Sequence, residues 1–139
     1  MVDDLLLNKA AKIERAVRRM RDLHAGDDAN LTSARHDALV LSLHRAVESS
    51  IDAAMHLVRI HRLGIPQETL EAFEMLERAN LLEPQVAEGL KELVRLGHEL
   101  VREDTGDVRR LREAVVEGPN VLRAFTAQVL RLGVGDLPR

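Results

Sequence analysis

The sequence predicts an all-α protein: an antiparallel four-helix bundle with a short connecting helix and a kinked C-terminal helix. Three observations carry this. Apolar residues recur at alternating gaps of three and four in long segments, the pattern of a helix with one buried stripe. No segment alternates with period two for long enough to make a strand. Proline and glycine stand at the segment boundaries, where helices start and stop.

In the first segment, Leu6, Ala10, Ile13, Val17 and Met20 form the stripe of a helix from about Asp4 to Leu23. Gly26 and the polar stretch Asp27 to Asn30 end it, and Thr32 or Ser33 offers a side-chain oxygen to cap the next helix. There Val40, Leu43, Val47, Ile51, Ala54 and Val58 repeat the pattern. His61 and Arg62 suit the carbonyl end of that helix, and Gly64 can take the left-handed conformation that closes it. Pro66 is expected at the first position of a short third helix, with Glu68 in its positive first turn and an end near Asn80. Pro84 repeats the device for a fourth helix striped by Val86, Leu90, Leu93, Gly97 and Leu100. Thr105, Gly106 and Asp107 make a turn before the last helical stretch, where Gly118 and Pro119 predict a kink or a break into two pieces.

Composition narrows the function. The 139 residues, with no linker or repeat, read as one domain spanning 1–139. Hydrophobic residues at 45% and charged residues at 31% suit a chain that buries one core. The two aromatic residues, Phe73 and Phe125, argue against base-stacking modules and cation cages. Without cysteine there are no disulfides, thiolate metal sites or thiol nucleophiles, which fits a reducing cytoplasm. No apolar run approaches a membrane span, and Asp3 and Asp4 make the start unlike a signal peptide, so a soluble cytoplasmic protein is expected. A net charge of −3 leaves nucleic-acid binding to a local patch.

Six histidines raise the question of a metal. The di-iron bundle signature needs Glu-x-x-His on two helices, and the chain has none, so no metal site is expected. Glu48, Asp52 and His56 lie one turn apart as a polar stripe, either a structural hydrogen-bond network or the lining of a cleft. Neither a Gly-x-Ser-x-Gly elbow nor a phosphate-cradling glycine loop is found. On the fourth helix Lys91, Arg95, His98 and Arg102 fall within one arc. That ridge could contact phosphates, with an imidazole to pass a proton; equally, it could be a solvated flank paired with Glu88, Glu92 and Glu99. Gly97 in the middle of the apolar arc costs about 1 kcal/mol of helix propensity against alanine, which implies close packing on the second helix or on a second subunit.

The opening Asn8-Lys9-Ala10-Ala11-Lys12-Ile13-Glu14-Arg15, the run Leu41 to His56 with Arg45, Glu48, Ile51, Asp52 and His56, and above all Leu63-Gly64-Ile65-Pro66-Gln67 resemble HepT proteins of the HEPN superfamily. The similarity covers about residues 3 to 130. It implies a dimerising antiparallel bundle and a metal-independent endoribonuclease site where two subunits meet, with no cofactor. It also implies a partner, an MntA-type minimal nucleotidyltransferase, which acts as antitoxin by placing AMP on a tyrosine.

The catalytic motif that the resemblance implies is Arg, usually followed by Asn, then His five residues after the Arg and Tyr two further on. In this chain those slots hold Gly97, His98, Arg102 and Asp104. Cleaving RNA through its 2′-hydroxyl needs a group that takes and returns a proton near pH 7, and a permanently charged guanidinium cannot. The chain contains no tyrosine to modify. A toxin-type component with a degenerate site, binding RNA or a partner through Lys91, Arg95, His98 and Arg102 on the dimer cleft, is therefore expected. Two alternatives stand beside it: an active endoribonuclease in which His98 and Arg102 exchange roles, and an interaction protein that docks the nucleotidyltransferase without touching RNA.

Overall fold

Asp3 starts the first helix. Its Oδ1 accepts the N–H groups of Leu5 at 2.9 Å and Leu6 at 3.2 Å, two of the donors a helix start leaves unsatisfied. The computed structural model describes residues 3–24, 33–103 and 108–135. They form α1 (Asp4–His24), α2 (Ser33–Ile60), α3 (Thr69–Arg78), α4 (Pro84–Glu103) and α5 (Val108–Gly135). The expected stop at Gly26, the Thr32 cap and the Thr105 to Asp107 turn lie outside the described residues.

Helix α2 packs against each of the others. The stripe Leu6, Ala10, Ile13, Val17 and Met20 is buried as its spacing predicts, together with Leu43, Val47, Ile51, Ala54 and Val58 of α2. Antiparallel order shows in the cross-helix contacts. Asp3 meets His56 and Lys9 meets Asp52, so α1 and α2 run oppositely. Between α4 and α5, Gly89 lies on Val121 and Gly118 on Leu93, while Glu99 pairs with Arg110. Helix α3 brings Phe73 edge-on to Phe125 of α5, with ring centres 6.1 Å apart and planes at 72°; both rings are fully buried. Neither ring is available to stack on a base.

Two local expectations are corrected and a third is narrowed. The left-handed residue that closes α2 is Arg62 (φ 54), not Gly64. Leu63 N–H bonds Val58 O at 3.0 Å and Arg62 N–H bonds Arg59 O at 3.1 Å, a Schellman closure; Gly64 (φ 123) turns the loop after it. Pro66 does not open α3. The helix begins at Thr69 after an extended Glu68, and the first-turn acid is Glu71, whose Oε2 accepts Gln67 N–H at 2.9 Å. Asn80 (φ 59) closes α3 by the same device as Arg62. Of the kink or break expected at Gly118 and Pro119, the break does not occur: α5 runs as one helix through both. A Cβ on Gly118 would stand 3.3 Å from Leu93 Cδ1, so its bare α-carbon seats α5 on α4. Packing there holds the helix together against the lost hydrogen bond. Pro84 does open α4, and Gln128 of α5 accepts the N–H of Glu83 just before it, at 3.1 Å. No described helix is long and apolar enough to cross a membrane.

Candidate functional site

Arg95, His98 and Arg102 all lie exposed along α4, as the arc requires. Lys91 does not join them. Its side chain is only 12% exposed and its Nζ lies 3.1 Å from Glu88 Oε2 and 3.8 Å from Glu74 Oε1 of α3, so it ties α3 to α4. His98 Nε2 reaches Glu48 Oε1 of α2 at 3.4 Å, a long contact between two half-exposed side chains. Gly97, next in sequence, is buried against α2: a Cβ there would lie 3.3 Å from Val47 Cγ2. Of the two neighbours its place in the stripe allows, the one observed is thus the second helix of the same chain. Asp104 lies outside the described residues.

The stripe of Glu48, Asp52 and His56 is shared among three partners. Glu48 meets His98, and Asp52 Oδ2 meets Lys9 Nζ at 3.1 Å. His56 Nε2 donates to Asp3 Oδ2 at 2.8 Å, while Arg59 Nη2 lies 3.4 Å from its Nδ1. The His56 hydrogen bond, helped by the Leu6 and Leu5 N–H groups, holds the Asp3 carboxyl below the usual carboxylate range despite some desolvation. His56 therefore anchors the start of α1, while Glu48 and Asp52 face a groove.

That groove lies between α1 and α2 and encloses about 630 Å³. Lys9, Lys12, Arg15 and Arg19 come from α1, and Arg45 joins them from α2, beside Ser42, His44, Ser49 and the two carboxylates of Glu48 and Asp52. Five cations face two carboxylates, a local excess of positive charge on a chain of net charge −3. Sequence reasoning offered Glu48 and Asp52 as the lining of a cleft but missed the cations of this site. The signal was present: Lys9, Lys12, Arg15 and Arg19 are spaced three, three and four, one face of a helix over about 15 Å at 1.5 Å per residue. Arg45 comes from a distant stretch of sequence, and only α2 packing on α1 brings it to the same wall.

Solved structures with this backbone set the class. A toxin–antitoxin solved with AMP-PNP superposes with a TM-score of 0.85 at 26% identity, over 91% of this chain and 98% of that one. The tri-AMPylated HEPN toxin of Shewanella oneidensis, solved in complex with its MNT antitoxin, gives 0.83 at 26% identity, over 91% and 97%. The bundle is the HEPN toxin fold. Within that class the ribonuclease HepT-like family model matches residues 10–129, and the chain belongs to that family. The mRNA nuclease HepT of Shewanella oneidensis is 32% identical over 96 residues, 68% of this chain and 72% of that protein.

Proposed function

We propose that this chain is a toxin-type subunit of a two-gene module that has lost RNA cleavage and holds RNA without cutting it. The observation that carries the reading is the chemistry of the motif slots. Arg102 stands where the resemblance calls for a proton-shuttling imidazole, and Gly97 where it calls for a cation. A charged side chain at Gly97 would crowd α2, because its Cβ would stand 3.3 Å from Val47 Cγ2 and Val47 would have to give way. The chain has no tyrosine, so control by AMP on tyrosine has no acceptor here.

Pairing into a homodimer through α2 and α4 is part of the proposal. Leu41 on α2 and Val101 on α4, 47% and 50% exposed, flank the Glu48 and His98 contact with apolar surface. The related HEPN toxin solved in complex with its MNT antitoxin supports an MntA-type nucleotidyltransferase as the second partner. A cytoplasmic site of action follows from such a module.

Incubation of the purified chain with structured RNA and transfer RNA tests the central claim, and we expect no cleavage above background. Cleavage that disappears in His98→Ala would overturn it in favour of an enzyme using His98 and Arg102, the reading that the Glu48 carboxylate beside the imidazole favours. Copurification with a nucleotidyltransferase and no retention of RNA would favour the pure interaction protein.

A further inference from the structure

Several cations of this chain are held in ion pairs. Arg18 and Arg123 share Glu14, Arg109 pairs with Glu113, Arg110 with Glu99 and Lys91 with Glu88. The groove between α1 and α2 gathers four that are not. Lys9 is paired with Asp52, but Lys12, Arg15, Arg19 and Arg45 have no ion-pair partner among the described residues. Four like charges gathered in one groove repel one another, and nothing in the core requires them, since all four are exposed. A polyanion lying in the groove would remove that repulsion.

We infer that this groove, and not the α4 ridge, is where the chain grips the phosphodiester backbone of single-stranded RNA. The inference rests on the reading of an RNA-holding subunit and assigns it a location. Three features favour a nucleic-acid backbone over an acidic protein. The groove is a trough of about 630 Å³ with cations in a row along α1, suited to a linear anion. Ala16 is the one hydrophobic residue among its lining side chains, so it lacks the apolar pocket on which protein partners anchor. Both aromatic rings of the chain are buried, which leaves phosphate, not base faces, as the group recognised. Glu48, on the groove wall and in contact with His98, marks where a strand leaving the trough would meet α4.

The test is fluorescence anisotropy of a short unstructured labelled RNA against the full chain. The variants are Lys12→Glu/Arg15→Glu in the groove, Arg109→Glu/Arg112→Glu on α5 as a control of matched charge, and Arg95→Glu/Arg102→Glu on the ridge. Circular dichroism confirms the folding of each. The groove variant should bind at least tenfold more weakly, and its salt slope should fall by roughly 1.4 for two lost single-strand contacts. The α5 control should bind as wild type. Wild-type binding by the groove variant, with loss in the ridge variant, would overturn the location and leave the RNA-holding reading intact. Absence of wild-type binding even at low salt would overturn both. Loss of nucleotidyltransferase copurification in the groove variant, with RNA binding unchanged, would assign the groove to the protein partner and also overturn the inference.

Discussion

The two cationic regions of this molecule differ in what faces them. On α4, Lys91 is held by Glu74 and Glu88, and His98 lies against Glu48. In the groove between α1 and α2, Lys12, Arg15, Arg19 and Arg45 share one wall with no ion pair among the described residues. In the sequence the two look alike, each a set of basic residues at gaps of three and four. What separates them is the neighbouring helix: α2 and α3 set carboxylates against His98 and Lys91 of α4, whereas α2 brings Arg45 as well as Glu48 and Asp52 to the groove, and only Lys9 of its cations is paired. A charge already neutralised by its own protein offers little to a ligand, because binding must first break the existing pair.

Salt should separate the regions most strongly. If four groove cations hold four phosphates of a single strand, RNA affinity should fall roughly 50-fold between about 50 and 200 mM salt. A flat salt response, measured by anisotropy, would leave the groove no better a candidate than the ridge. Next in size is Gly97→Leu. Its side chain would enter the space of Val47, cost about 1–3 kcal/mol in urea unfolding, and push His98 away from Glu48.

Asp3→Ala should cost about 1 kcal/mol through the lost cap at the head of α1, the helix that carries most of the groove. The sign of its pH dependence is fixed. The Asp3 carboxyl is held below its ordinary value, so its contribution is present above the usual carboxylate range and lost as pH falls through the lower folded value. Wild type and variant should therefore begin to converge in stability only as pH falls below the ordinary carboxylate range. Glu48→Gln should change stability by less than about 1 kcal/mol, since the contact it breaks is long and half exposed. Smallest of all is Arg15→Gln, expected within about 0.5 kcal/mol of wild type in thermal unfolding because no pair is broken. A large loss there would show that the groove cations serve the fold.

Much of the architecture was legible because period and punctuation agree. The α1 stripe from Leu6 to Met20 and the proline start of α4 at Pro84 are local properties, and the structure has both. Pro66 and Gly64 were misread for a common reason: each signal is permissive. Pro66 can open a helix, but this one opens at Thr69; glycine can close α2, yet Arg62 closes it with the same two hydrogen bonds. In the candidate site, the exposure of Arg95, His98 and Arg102 and the pairing of Lys91 with Glu88 followed from spacing, while the reach of Lys91 to Glu74 on α3 did not.

By itself the sequence determined the helical class, the buried stripes, the family resemblance and the absence of tyrosine and cysteine, since each depends on residue identity or on the 3.6-residue period. Only the tertiary structure decided that Gly97 packs on Val47, that α5 stays whole across Pro119, and that Arg45 joins the α1 cations. The physical reason is common to all three: contact and electrostatic energies depend on distance between helices, and residues remote in sequence acquire a distance only when the chain packs.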